Sequence, residues 1–371
     1  MFVVDLEFKY KNYMDIKIEN LLKLALANKA SDVHLNSLIL PMFRINGELS
    51  VVGNFELPSK SEMMQMILSI LSKEQKDKFE EEKDLDFSVT VGDARFRVNA
   101  FLDNGSPSMV LRVIPSDIPT MEDLHLPSIL NTFLKYKQGF ILVTGPTGHG
   151  KSTTVASILN EINKNIGGHI VTVEDPIEYV IKPLKSLISQ RELGTDTKSF
   201  DRALRSVLRQ DPNVVFVGEM RDLETIQLAL TVAETGHLVF STLHTNSAAQ
   251  SIDRIIDVFP EGSKEQIRTQ LSTVLTAVVS QRLLPGVDGG RVPALEVLIA
   301  NNAVKNIIRE GKTFTIDNVI QTGSDMGMFS MEMSLAKLIK QGQITEDVAM
   351  SYTTKPTELQ SALRSYKLKN G

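Results

Sequence analysis

The nine residues GPTGHGKST, Gly145 to Thr153, constrain the fold more than any other stretch of the chain. They fit the phosphate-binding pattern G-x-x-x-x-G-K-[ST]. The apolar run FILVT precedes them, and the residues that follow repeat apolar side chains at helical spacing, at Val155, Ile158, Leu159 and Ile162. A strand, a glycine-rich turn and a helix in this order predict an α/β domain that binds the phosphates of a nucleotide.

Every position of this loop is a candidate nucleotide ligand. Glycines let backbone N–H groups turn toward phosphate oxygens, Lys151 can reach the β and γ phosphates, and Ser152 is a candidate ligand of Mg²⁺. ATP and Mg²⁺ are therefore the expected cofactors. His149 stands at an unspecified position of the pattern, which favours a packing or solvent-facing role over catalysis. The predicted nucleotide-binding residues are Gly145, Pro146, Thr147, Gly148, His149, Gly150, Lys151, Ser152 and Thr153.

Polar residues follow three more apolar runs, at the point where each predicted strand ends. VVFVGEMRD leads to Glu219, the predicted Walker B acid and second Mg²⁺ ligand, with Gly218 where an aspartate is usual. VTVEDPIEYV leads to three acids, of which Glu178 is a candidate general base, and HLVFSTLHTNSA leads to His244. Because parallel strands bring their carboxyl ends to one edge, these side chains should converge on the phosphates. The alternative is a set of ordinary solvated strand ends.

Arginines form two groups that could stabilise a transferred phosphoryl group. Arg202, Arg205 and Arg209 lie on one stripe of a predicted helix. Arg95, Arg97 and Arg112 lie in predicted strands of the N-terminal third. Solvated helix and strand positions are the alternative reading of both groups. His237 and His244 lack the spacing of a metal site, and we expect neither to bind a metal.

The chain reads as two α/β parts. The first is a small mixed domain with a strand in residues 1–13, a helix ending near Lys29, a hairpin at Asn46-Gly47, a helical stretch from about Ser61 to Phe79, and two or three strands turned at Gly92-Asp93 and Asn104-Gly105. The second carries the Val/Ile-rich runs of a doubly wound parallel sheet, then one strand in ALEVLIA and several helices. We predict an N-terminal domain at 1–113, a proline-rich linker at 114–126, the nucleotide-binding core at 127–290, and a C-terminal strand and helical region at 291–371.

Composition excludes several classes of partner and binding site. The formal net charge is −5, which argues against bulk nucleic acid or an anionic membrane surface as the main partner. The sequence has no cysteine, which excludes disulfides and thiolate zinc sites and fits a reducing compartment. No apolar run approaches the roughly 18 residues of a membrane-spanning helix. We therefore expect a cytoplasmic protein.

Long motifs resemble one known family. GPTGHGKSTT, VEDPIEYV, VFVGEMRDLETIQLALTVAETGHL and STLHTNSAAQSIDRIIDVFP, together with ASDVHL and FRINGEL, resemble the secretion-ATPase superfamily, specifically the PilT-type retraction ATPases of type IV pili. The resemblance runs from about Asp15 onward. NAVKNIIREGKT is similar to the AIRNLIRE element of that family, with Val304 and Lys305 where Ile and Arg are usual.

The resemblance implies a fold and a set of roles. It implies a PAS-like α+β N-terminal domain followed by a RecA-like P-loop NTPase domain with a helical C-terminal region. It assigns phosphates and Mg²⁺ to Lys151 and Ser152, the base to Glu178 and the Walker B acid to Glu219. It places His237 and His244 in a His box and draws arginine fingers from Arg95, Arg97 and Arg112, of which Arg97 and Arg112 are our candidates.

The same resemblance implies a motor that retracts type IV pili by ATP hydrolysis. It would be a homo-hexamer at the cytoplasmic face of the inner membrane, peripheral to the membrane through an inner-membrane platform protein and without direct nucleic-acid binding. A pilus-assembly or type II/IV secretion ATPase is the first alternative, although the tetracysteine zinc ligands of the assembly type are absent. A RecA-like nucleic-acid motor and a non-catalytic nucleotide-binding scaffold are the others.

Overall fold

In the N-terminal part of the chain, apolar residues alternate along the strands and two serines cap the N-termini of helices. The computed structural model describes residues 14–45, 47–53, 55–115 and 117–368, so the strand predicted within residues 1–13 lies outside the described residues. The chain divides into two compact units, Met1–Ser116 and Asp117–Gly371. Each contains a sheet with helices, which confirms the mixed α/β class.

The first unit has an antiparallel sheet of order β3-β2-β1-β6-β5-β4. The apolar faces of its helices α1 and α2 share one core with the inward side chains of the sheet. Its elements are α1 (Ile16–Ala27), β1 (Asp32–Asn36), β2 (Ile39–Ile45), β3 (Glu48–Val51), α2 (Lys60–Ile70), α3 (Lys73–Glu82), β4 (Asp84–Val91), β5 (Ala94–Asp103) and β6 (Ser106–Ile114).

The helical stretch predicted from about Ser61 to Phe79 is present, and it consists of two helices, α2 and α3. Ser72 interrupts it as the cap of α3: its hydroxyl accepts the N–H of Gln75, and the Gln75 side chain accepts the N–H of Ser72. In this capping box, side chains accept the backbone N–H groups that would otherwise bond to carbonyl oxygens of the preceding helical turn. A new helix therefore begins here. The hairpin predicted near Gly47 is present between β2 and β3, and the three strands β4 to β6 turn where expected.

The second unit has a seven-stranded sheet of order β13-β12-β7-β11-β10-β8-β9, parallel except for the β12–β13 pair. Its elements up to the last strand are a 3-10 helix (Ser128–Lys135), β7 (Gly139–Thr144), α4 (Lys151–Asn165), β8 (Gly168–Glu174), β9 (Ser186–Glu192), α5 (Phe200–Val207), β10 (Val214–Val217), α6 (Leu223–Glu234), β11 (Leu238–Leu243), α7 (Ala248–Asp257), a 3-10 helix (Glu261–Ser263), α8 (Lys264–Val274), β12 (Leu275–Pro285) and β13 (Arg291–Ile299).

Helices follow the sheet to the end of the chain. They are α9 (Asn302–Glu310), a 3-10 helix (Thr313–Thr315), α10 (Ile316–Thr322), a 3-10 helix (Ser324–Met326), α11 (Met331–Lys340), α12 (Glu346–Tyr352) and α13 (Pro356–Leu368). A separate apolar cluster attaches α11, α12 and α13 to the β12–β13 hairpin. Within the described part of the chain, no helix is both long and apolar enough to cross a membrane.

The four Val/Ile-rich runs form β7, β8, β10 and β11, which are adjacent and almost wholly buried. Sequence reasoning missed β9 and β12. β9 is a half-polar edge strand, and β12 continues directly from α8 without a turn residue, so its apolar run reads as more helix. The predicted arginine stripe is also shorter than expected, because α5 ends at Val207, before Arg209. Met121, which lies in the predicted linker, packs into the core of the second unit. The predicted limits of the linker and of the domains stay predictions.

Candidate active site

The glycine-rich loop leaves the carboxyl end of β7 and enters the N-terminus of α4. Gly145 has φ +148°, and a Cβ there would lie 2.2 Å from the carbonyl oxygen of Gln281, so β7 and β12 approach this closely only at a glycine. Gly150, with φ +77°, is the N-cap residue of α4. Among the described residues, no side chain accepts a capping hydrogen bond at this end of the helix. The first-turn N–H groups of α4 are thus left for a ligand, as in helix termini that bind phosphate.

Lys151 lies inside the loop. Its Nζ donates to the carbonyl oxygens of Gly145 and Pro146, at 2.9 Å each, and the residue is only 7% exposed. Burial lowers the pKa of Lys151, while the nearby carboxylates of Glu219 and Glu178 act in the opposite direction. The ammonium is therefore within electrostatic range of both acids that the sequence singled out.

Glu178 reaches the start of α4 from the loop after β8. Its Oε1 accepts a hydrogen bond from the hydroxyl of Ser152 at 2.9 Å. One residue further, the hydroxyls of Thr153 and Tyr179 lie 3.1 Å apart. Glu178 and Tyr179, in the loop after β8, thus contact the first turn of α4. This places the Glu178 carboxylate beside Ser152, the candidate Mg²⁺ ligand.

Glu219 and His244 join the same edge from β10 and β11. The Nε2 of His244 lies 3.1 Å from Oε1 of Glu219, and its Nδ1 lies 3.1 Å from the hydroxyl of Thr147 in the glycine-rich loop. Arg221 contacts the other carboxylate oxygen of Glu219 at 2.8 Å. Burial raises the pKa of Glu219, but Arg221 and His244 outweigh it and lower the pKa overall, so Glu219 is held as a carboxylate.

Glu174 departs from the expectation that all three acids of VTVEDPIEYV converge on the phosphates. Its carboxyl is buried, accepts the Thr172 hydroxyl at 2.6 Å, and lies 3.2 Å from Nε2 of Gln190. Burial raises the pKa of Glu174 to about 7, against the opposing hydrogen bonds. Gly218 explains part of this packing, since a Cβ there would lie 3.2 Å from Cα of Glu174.

His149 does more than fill a free position. Its Nδ1 accepts the backbone N–H of Leu283 at 2.9 Å, and its carbonyl oxygen accepts Nε2 of Gln281 at 2.8 Å. Burial, followed by the charges of Arg282, Lys151 and Arg291, lowers the pKa of His149, which favours the neutral ring that such an acceptor requires. Sequence reasoning missed Gln281 and Leu283 because it missed the strand that carries them.

Arg97 and Arg112 lie on paired strands of the first unit, directly opposite each other. Nε of Arg112 donates to Oδ1 of Asp32 at 2.7 Å; the Asp32 side chain is 6% exposed and that of Arg112 is 69% exposed. Arg97 lies 3.9 Å from the exposed Asp86. Arg112 is therefore a solvent-facing guanidinium with one nitrogen fixed by a buried carboxylate.

His237 lies away from these groups, just before β11. Its Nδ1 is 3.0 Å from the Thr235 hydroxyl and 3.1 Å from the Val232 carbonyl oxygen, at the end of α6. These contacts lie at the end of α6, and in the part of the chain that the structure describes no hydrogen bond of His237 reaches the glycine-rich loop. Within residues 14–45, 47–53, 55–115 and 117–368, no cluster of three or more His, Cys, Asp and Glu side chains is arranged to hold a metal.

Comparison with known proteins identifies the family. The family described as type II/IV secretion system protein matches residues 9–290. The chain belongs to the type II/IV secretion system protein family. Among relatives, it is 50% identical over 311 residues to the twitching motility protein of Neisseria gonorrhoeae, which covers 83% of each chain. It is 46% identical to the type IV pilus retractation ATPase PilT of Pseudomonas aeruginosa, over 90% of this chain and 96% of the relative.

A solved structure has the same fold. The crystal structure of the pilus retraction motor PilT with bound ADP is 47% identical, covers 94% of this chain and 100% of its own, and superposes with a TM-score of 0.85. The resemblance to PilT-type proteins that the motifs predicted is therefore confirmed. The roles of individual site residues stay predictions.

Proposed function

We propose that this chain is an ATPase whose hydrolysis of ATP drives retraction of a type IV pilus. The observation that carries the proposal is the convergence of Lys151, Glu178, Glu219 and His244 on one glycine-rich loop. Relatives at 46–50% identity carry names of pilus retraction and twitching motility.

The site's own residues supply binding, orientation and proton transfer. The first-turn N–H groups of α4 and the ammonium of Lys151 bind the phosphates of ATP. Glu178 is exposed to solvent and takes the proton of the attacking water as general base. The hydrogen-bonded chain from Glu219 through His244 to Thr147 joins the Walker B acid to the glycine-rich loop.

Magnesium fits this donor set. A Mg²⁺ ion beside nucleotide phosphates takes one or two protein ligands and keeps several waters, and Ser152 and Glu219 would hold it. When bound, it neutralises charge on the phosphates. The hydroxyl of Ser152 already bonds to Glu178, which fixes its orientation.

Arg112 is the better arginine-finger candidate of our two. A finger must expose its guanidinium while the rest of the side chain is held, which limits the entropy lost on reaching a phosphate. Asp32 fixes one guanidinium nitrogen of Arg112 and leaves the rest of the group exposed, whereas within the described residues the ion pair of Arg97 is a long contact with an exposed acid. Provision of Arg112 in trans agrees with a homo-hexameric ring.

We extend the proposal to architecture and location. The six-stranded antiparallel unit with its helices is PAS-like, and the parallel-sheet unit is RecA-like. The protein would act at the cytoplasmic face of the inner membrane, peripheral to it through an inner-membrane platform protein. The net charge of −5 supports the absence of direct nucleic-acid binding.

Two experiments test the proposal. Purified Lys151→Ala protein should release no phosphate from ATP, and a wild-type rate would show that the site is misassigned. A strain lacking the gene should accumulate pili because retraction is lost. A strain that instead loses its pili would indicate the alternative function, pilus assembly.

A further inference from the structure

The segment that carries Glu178 has no regular secondary structure of its own. It runs between β8 and β9, residues 175–185, and its backbone N–H and C=O groups need partners from elsewhere. A general base must be held within a few tenths of an ångström of its working position for full activity. The groups that hold this segment therefore bear directly on turnover.

Gln190 of β9 holds the segment at two points. Its Oε1 accepts the N–H of Ile181 at 2.7 Å, and its Nε2 donates to the carbonyl oxygen of Tyr179 at 2.9 Å. These two contacts fix the backbone immediately after Glu178. An amide side chain is needed for this, because it offers an acceptor and donors in one rigid plane.

Gln190 also contacts the buried Glu174. Its Nε2 lies 3.2 Å from Oε1 of Glu174, the last residue of the strand that leads to Glu178. Glu192, two residues along β9 and on the same face, accepts the N–H of Ile177 at 3.0 Å. The side chains of Glu192 and Gln190 thus bond to the backbone before and after Glu178, respectively.

We propose that Gln190 is a positioning residue for ATP hydrolysis, which sets the Glu178 carboxylate against Ser152 by fixing the backbone of residues 177–181. The inference rests on the proposed function. Within the described residues, no hydrogen bond joins Gln190 directly to the glycine-rich loop, which β12 and His244 contact independently of the segment that carries Glu178. Loss of Gln190 should therefore affect turnover more than nucleotide binding.

The test is steady-state ATPase kinetics of the full chain with Gln190→Met, which keeps the side-chain length and removes both hydrogen-bonding groups. We expect kcat to fall about tenfold to a hundredfold, while KM for ATP changes by less than about threefold, since the loop contacts persist. Ser189→Ala is the matched control, because Ser189 is the adjacent residue of β9 and bonds to His169 instead of the 175–185 segment. Equal kcat values for wild type and Gln190→Met would overturn the inference.

A double-mutant cycle separates positioning from a general structural role. In a Glu178→Gln background, Gln190→Met should lower kcat no further, because the group that Gln190 positions is already inactive. A further drop as large as in wild type would overturn the inference.

Gln190→Glu is the second variant if Gln190→Met folds poorly. It keeps an acceptor for Ile181 but places a second carboxyl against Glu174, and kcat should again fall while KM is nearly retained. If wild-type protein itself fails to hydrolyse ATP, the proposed function fails; if wild type turns over and both Gln190 variants match it, only this inference fails.

Discussion

Replacement of Glu296 by glutamine should change how the stability of this protein depends on pH. Glu296 lies on β13 at 5% exposure, and its Oε1 accepts the N–H of Ala248, the first residue of α7, at 2.8 Å. Burial raises the pKa of Glu296 from 4.5 to about 7, while the hydrogen bond from Ala248 acts in the opposite direction. Glu296→Gln keeps an acceptor for Ala248 and removes the titration.

The sign and size of the change in the free energy of unfolding with pH follow from proton linkage. Between pH 4.5 and about 7 the folded protein binds a proton at Glu296 that the unfolded chain releases, so stability is full below pH 4.5 and declines as pH rises through 7. The shift corresponds to a loss of about 3 kcal/mol across the whole range. Between about pH 5 and about pH 8, wild type should lose about 2 kcal/mol more than Glu296→Gln.

Urea unfolding followed by circular dichroism at these two pH values measures the difference. Glu174 also has a raised pKa, but it is present in both proteins and cancels in the comparison. A difference between wild type and variant that stays constant with pH would refute the assignment of a buried, protonated Glu296. A variant that loses stability faster than wild type at high pH would contradict the sign.

Three further substitutions test the site. Glu219→Gln should retain nucleotide binding and lower kcat by about a hundredfold or more in a phosphate-release assay; normal turnover would remove Glu219 from the mechanism. Asp32→Asn weakens the anchor of Arg112 and should lower kcat about threefold to tenfold in assembled protein, with no effect if Arg112 is only a surface residue. His149→Ala removes the acceptor for the N–H of Leu283 and should raise KM for ATP about threefold to tenfold. His149→Asn should restore most of the affinity, because its Oδ1 can replace Nδ1, and an unrestored KM would count against the hydrogen bond.

The parts of the site that the sequence predicts are those encoded by local patterns. Gly145, Lys151 and Ser152 belong to one contiguous motif, and Glu178 and Glu219 follow apolar runs that are recognisable as buried strands. Because parallel strands end at a common edge, the convergence of these residues can be deduced from the sequence.

The parts that escaped prediction depend on contacts between residues far apart in sequence. The hydrogen bond between His149 and Leu283 joins positions 134 residues apart, and no local periodicity records it. Gln190 lies on a half-polar edge strand whose alternation is weak, so neither its strand nor its contact with the Glu178 segment could be read from neighbouring residues. The close approach of Gly218, which follows β10, to the backbone of Glu174 is likewise a contact between residues far apart in sequence.

The contacts between the glycine-rich loop and β12 restrict how this protein can be re-engineered. The motif G-x-x-x-x-G-K-[ST] marks position 149 as free, yet its ring and carbonyl are matched to Leu283 and Gln281. If only the loop were replaced by the loop of a relative, its residue at position 149 would not be matched to Gln281 and Leu283 of β12. Successful exchange requires moving the loop and β12 together, as a two-segment cassette separated by more than a hundred residues of unchanged sequence.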